Sequence, residues 1–149
     1  MSITGGCRCG AVRYEVESET QLPVYACHCH QCQRWSGSAF SLQALAREGA
    51  LAVAGPIIVY EIGTGDSIAM QRICATCHTR IYNTNTRRPG LAIIRAGTLD
   101  QTAELDCRAH IYVAYKQDWI MLPEGGSPMA RRAAARRIFC STDEIGLGW

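Results

Sequence analysis

Residues 26–35 read ACHCHQCQRW and place three cysteines and two histidines between Cys27 and Cys32. Two further groups, Cys7-x-Cys9 and Cys74-x2-Cys77, bring seven of the nine cysteines into tight clusters. Thiolate and imidazole are the side chains zinc favours, with sulfur about 2.3 Å from the ion. On an extended strand, side chains two apart share a face at about 6.5–7 Å along the backbone, so a C-x-C pair can reach one ion. A C-x2-C pair does the same at a tight turn. Cys7, Cys9, Cys74 and Cys77 then make one four-sulfur site, closed and therefore structural. Cys27, Cys29 and Cys32 supply three thiolates to a second site. Three protein ligands with a vacant fourth position is how zinc is left open for catalysis. Spacing alone leaves the alternative standing: His28, His30, His78, His110, Cys107 or Cys140 can supply a fourth ligand and close the site. If Cys27 and Cys29 face the metal along an extended segment, His28 points to the opposite face. His30 lies just before the turn that returns Cys32, so the sulfurs, and not the imidazoles, are read as the ligands.

Other chemistry for the same cysteines fits less well. A thioredoxin-like C-x-x-C needs a βαβ context, which neither CHQC nor CATC has. An iron–sulfur cluster favours four cysteines in a run or a wider spread. The isolated Cys107 and Cys140 read as small buried hydrophobes. Arg8, Arg34, Arg72 and Arg80 sit near the cysteine groups in sequence, where guanidinium charge can offset that of thiolate-bound metal.

The elements that must position these groups are short and alternating. In AVRYEV (11–16), Val12, Tyr14 and Val16 share one face and Arg13 and Glu15 the other, the period of a half-buried strand. Further strand candidates are residues 23–29, 38–45, 51–54, 57–62, 67–74, 79–83, 91–96 and 110–115, separated by glycine and proline turns. Many short strands with no helix-length pattern between them predict an all-β, mainly antiparallel domain stapled by zinc. One C-terminal segment, 127–139, reads as a short helix, with Ser127 as N-cap and Pro128 at its first position. Its four arginines read as a solvated face, and not as a nucleic-acid surface. A zinc-binding domain over 1–128 and a tail over 129–149 follow as the expected organisation.

Composition excludes several function classes. A formal charge of +2 gives no pull toward nucleic acid or an anionic membrane. No run of some 18 apolar residues marks a transmembrane helix, and MSITGGCRCG lacks the features of a signal peptide. Nine cysteines, seven of them in close groups, fit metal binding in a reducing compartment better than disulfides, so a cytoplasmic location is expected.

The blocks GGCRCGAVRYEV, ACHCHQCQRWSGSAF and RICATCHTRIYN resemble the three motif blocks of the glutathione-dependent formaldehyde-activating enzyme family, which includes centromere protein V. AHIYVAYKQDWIMLPEGGSP resembles its closing segment, and the likeness covers roughly residues 4 to 128. The resemblance implies a β-tent (Mss4-like) fold with two zinc ions per chain. Cys7, Cys9, Cys74 and Cys77 match the structural ligands, and Cys27, Cys29 and Cys32 those of a second, three-cysteine zinc. It also implies a carbon–sulfur lyase-type activity on an adduct of a small thiol and an aldehyde, such as S-(hydroxymethyl)glutathione, with glutathione as co-substrate. Glutathione carries two carboxylates, which favour arginine's bidentate fork, and Arg34, Arg72, Arg95 and Lys116 are the candidates to hold them. A homodimer is compatible with the sequence. Two rival readings are a zinc-stapled binding module with both sites closed and a thiol-redox sensor that ejects its metal on oxidation.

Overall fold

The computed structural model describes residues 1–123. In chain order it contains β1 (Ser2–Gly6), β2 (Arg13–Glu17), β3 (Val24–Cys27), α1 (His30–Ser36), β4 (Ser41–Arg47), β5 (Leu51–Ala54), β6 (Ile57–Thr64), β7 (Ser67–Cys74), β8 (Arg80–Asn85), β9 (Arg88–Arg95) and β10 (Cys107–Ile111). The described chain is mostly antiparallel β-sheet with one short α-helix, as its alternating segments require. The segment 127–139, read as helix, lies outside the described residues. No helix among the described residues is long and apolar enough to cross a membrane.

The chain divides into two compact units, Met1–Pro23 with Ala44–Leu105, and Val24–Gln43 with the chain from Asp106 onward. In the first unit, β2 pairs antiparallel with both β1 and β5. Tyr14 and Val16 point inward while Arg13, Glu15 and Glu17 stay exposed, the alternation their sequence displays. The glycine pair at the start of the chain reads as turn punctuation, yet Gly5 lies inside β1. A Cβ there would come within 2.3 Å of the Tyr14 ring and 2.5 Å of the Thr98 carbonyl oxygen. Strands β6 to β9 form an antiparallel meander. Val12, Val16, Leu45, Ile81 and Ile94 are fully buried in this unit. Each such aliphatic side chain contributes about 1.5–3 kcal/mol by leaving water.

The second unit departs from the antiparallel expectation. Strand β10 pairs with β3 in parallel, Ile111 opposite Cys27 and His110 opposite Ala26. All four residues of β3 are buried, which suits a parallel strand covered on both faces. The predicted strand over 110–115 ends at Ile111, because Tyr112 takes a left-handed conformation (φ 56°) and a 3-10 turn follows.

The helix α1 has no counterpart in the sequence pattern. It has no buried residue, so no apolar period betrays it. Its N-cap is Cys29, whose sulfur accepts from the Cys32 backbone N–H where serine or aspartate would offer oxygen. Gly37 closes it in the left-handed conformation.

Candidate functional site

Each unit carries one group of cysteines. In the first, the sulfurs of Cys7, Cys9, Cys74 and Cys77 all lie within 4.8 Å of one another. They come from two hairpin turns of similar construction. After β1, the Cys7 N–H donates to the Val12 carbonyl at 3.0 Å and the Val12 N–H to the Cys7 sulfur at 3.2 Å. After β7, the Cys74 N–H donates to the Thr79 carbonyl at 2.9 Å, and the N–H groups of Thr76 and Cys77 point at the Cys74 sulfur at 3.4 and 3.5 Å. A left-handed residue lets each chain reverse, Gly10 in the first turn and His78 in the second. The C-x-C pair thus sits on a turn and not along a strand. The Arg8 N–H, donating to the Thr79 hydroxyl at 3.3 Å, ties the two turns together.

This geometry fits a tetrahedral metal. With sulfur about 2.3 Å from the ion, neighbouring thiolates stand about 3.8 Å apart. The Cys7–Cys9 and Cys9–Cys74 separations are 3.4 and 3.9 Å. Backbone N–H groups aimed at sulfur are what a charged thiolate needs and a neutral thiol does not. The Thr79 hydroxyl, helped by its backbone, holds the Cys77 thiol down at about 5.

In the second unit, the sulfurs of Cys27, Cys29 and Cys32 also lie within 4.8 Å of one another. Cys27 ends β3, Cys29 caps α1 and Cys32 lies in its first turn, so the strand-to-helix bend gathers them. Contacts with Cys27 and Cys32 hold the Cys29 thiol down to about 2, while contacts with Cys29 and Cys32, with burial, push Cys27 up. Three sulfurs this close cannot all carry charge unless a cation sits among them.

The two histidines of the opening stretch part company. His28 is 0% exposed, and its Nε2 lies 2.9 Å from His110 Nδ1 on the parallel neighbour β10. Burial, then the nearby His110 and Lys116, lowers the His28 pKa, and burial lowers that of His110, which favours the neutral form of each ring. His30 instead packs edge-on against the Tyr115 ring, 4.9 Å between centroids. Among the described residues, neither belongs to a group of potential metal ligands.

Polar side chains absent from the sequence reading surround the trio. The Gln33 amide nitrogen donates to the His28 carbonyl at 2.7 Å and to the Tyr115 carbonyl at 2.8 Å. Gln117 returns a bond to the Gln33 oxygen at 3.3 Å and accepts one from the Trp119 indole at 2.7 Å. Gln43 donates to the Cys32 sulfur at 3.5 Å. A visible signal existed for Gln43: with Ser41 it forms a polar i, i+2 pair inside an otherwise apolar strand segment.

The four cationic candidates fall in different places. Arg34, exposed in the last turn of α1, and Lys116 belong to the unit of the trio. Arg72 and Arg95 belong to the other unit and are engaged there. Arg72 bonds the Met70 carbonyl and the Thr84 hydroxyl and lies 4.8 Å over the Tyr82 ring. Arg95 bonds the Asn83 side-chain oxygen.

Both cysteine groups lie inside the stretch matched by a family model, residues 2–115, described as glutathione-dependent formaldehyde-activating enzyme. The chain belongs to that family. A Halomonas elongata protein named for the same glutathione-dependent activity is 27% identical over 126 residues, 80% of each chain. A crystal structure of a Rhodobacter sphaeroides protein shares the fold, with a TM-score of 0.56 and 24% identity over 72% of this chain and 98% of that one. Membership of the family connects the chain to glutathione-dependent formaldehyde activation, and each of the two groups of sulfurs could hold a metal ion.

Proposed function

We propose that this chain is a zinc-dependent carbon–sulfur lyase-type enzyme that makes or breaks an aldehyde–thiol adduct such as S-(hydroxymethyl)glutathione. Cys7, Cys9, Cys74 and Cys77 would hold a structural zinc, and Cys27, Cys29 and Cys32 a reactive one. The observation that carries the reading is the contrast in donor sets: four converging sulfurs in one unit, three in the other. In the trio, zinc would supply a Lewis acid that lowers a thiol's pKa and polarises an aldehyde oxygen.

In the forward direction a carbon–sulfur bond forms between the thiol and the carbonyl carbon, and the thiol's proton passes to the aldehyde oxygen. The reverse breaks the same bond. The chain's part is to hold three thiolates at one point and to bind the body of the thiol. The strand end and helix cap do the first. Arg34 and Lys116, the two cationic candidates in the trio's unit, are assigned to carboxylate binding. Paired free thiols also suit a reducing, cytoplasmic setting.

The test is exchange between formaldehyde, glutathione and their adduct, followed by NMR with purified chain whose metal content is measured. Acceleration by the wild type and none by Cys29→Ser is expected. If the wild type holds its metal and accelerates neither direction, the chain is a binding module and the lyase reading falls.

A further inference from the structure

Gln43 has no part in the function so far, yet it stands where a leucine would fit the strand pattern. It is 6% exposed, near the start of β4, with its amide nitrogen 3.5 Å from the Cys32 sulfur. Its amide oxygen accepts from the hydroxyl of Tyr25, itself 3% exposed on β3. Burying an amide is costly unless its bonds to water are replaced, and both ends of this side chain have specific partners. The orientation also has a chemical cause. A metal-bound thiolate carries no proton and can only accept, so the nitrogen must face Cys32 and the oxygen Tyr25.

We propose that Gln43, oriented by Tyr25, is a positioning residue for the three-cysteine centre, holding the Cys32 sulfur and drawing charge from it. The proposal rests on the reading that the trio holds a metal. A hydrogen bond to thiolate stabilises its lone pairs, which weakens its donation and leaves the ion more electrophilic. Cys29 takes its bond from the Cys32 backbone N–H, 3.3 Å away, which any residue at 32 except proline would supply. The four-cysteine group receives backbone N–H groups from Val12, Thr76 and Cys77, and has the Thr79 hydroxyl 3.1 Å from the Cys77 sulfur. The Gln43 amide differs from these because it comes from a strand outside the cysteine turn, so sequence can tune it without rebuilding the turn.

The test replaces zinc by cobalt(II) in the full chain and reads the sulfur-to-cobalt charge-transfer band. Subtracting the Cys29→Ser spectrum isolates the trio. Gln43→Met keeps the volume and removes the donor. It is expected to move the trio's band to longer wavelength, because the sulfur then donates more strongly. It should also weaken the trio's metal by about 10–100-fold, because the sulfur is no longer held in place and competes better for protons, leaving the four-cysteine band in place. Tyr25→Phe, which frees the amide without removing it, should move the band the same way by less. An unchanged band and affinity in Gln43→Met, with wild type fully loaded, overturns the proposal and leaves the functional reading standing. If Gln43→Met fails to fold, Tyr25→Phe decides, an unchanged band again being fatal. Wild-type chain whose trio takes up no cobalt removes the functional reading itself, and this proposal with it.

Discussion

The four-cysteine and three-cysteine groups use the same atom to different ends, and chain separation tells them apart. Cys9 and Cys74 meet across 65 residues. The trio runs only from Cys27 to Cys32. On the chain-entropy scale for a cross-link, closing a loop of some 65 residues is worth about 4 kcal/mol and one of about five residues about 2. The first group is therefore placed to stabilise a fold. The second adds little that the strand and helix do not already fix. Burial does not separate them: each group mixes buried sulfurs (Cys7 and Cys74; Cys27) with reachable ones (Cys9 and Cys77; Cys29 and Cys32). A group that gives little stability and offers three donors instead of four is the one that can be used for chemistry.

The sharpest way to break this contrast is to remove one sulfur from each group. Cys74→Ser should unfold the first unit or lower its stability by more than about 4 kcal/mol, since it removes a buried ligand and the acceptor of two backbone bonds. Far-UV circular dichroism, thermal melting and metal analysis would read the loss. Cys29→Ser should abolish adduct exchange and release the trio's metal, yet melt within about 2 kcal/mol of the wild type. If the two variants melt alike, the division of labour drawn from loop length is wrong.

Metal removal sharpens the same contrast without mutation. A chelator should strip the chain in two phases, first the three-sulfur group, whose fourth coordination position would be open to it, and then the closed four-sulfur group. Activity should follow the first phase and the circular dichroism signal the second. Loss of signal and activity in one phase would mean that the two centres are coupled.

Spacing reduced the cysteines to two pairs and a trio but did not assign them to sites. The family resemblance offered the partition that the sulfur positions now match, while alternation over 11–16 announced β2. The β3–β10 pairing was not readable, since a short, wholly apolar strand carries no period that tells parallel from antiparallel. The helix α1 escaped for a related reason. It buries nothing, and its cap is a cysteine that serves as a candidate ligand as well. Gln33 and Tyr25 act through partners remote in sequence (Gln33 with Tyr115, 82 residues away), which no local pattern encodes, and the polar pair with Ser41 marked Gln43 without naming its partners.

The smallest effect tests how the first unit holds its N-terminal strands beside the four-cysteine turns. Asp100 accepts from the Arg13 guanidinium at 3.0 Å and from the Thr4 hydroxyl at 2.6 Å, and so clasps both β1 and β2. The Arg13 bond, then that of Thr4, holds the Asp100 carboxyl below the ordinary carboxylate range. A carboxyl depressed in the folded state binds its proton more readily when unfolded, so its stabilising effect is present above about pH 3.9 and fades as pH falls below that value. The side chains of Arg13 and Asp100 are 52% and 38% exposed, so water and salt screen the pair and little stability is at stake. Asp100→Asn should lower the melting temperature by a few degrees at most near pH 7, with the gap closing on acidification and shrinking in high salt. Metal content and adduct exchange should be untouched, because the substitution alters the clasp around one cysteine group and leaves the trio's unit as it was. A loss of activity from Asp100→Asn at unchanged metal content would show that the two groups are not as independent as their loop lengths imply.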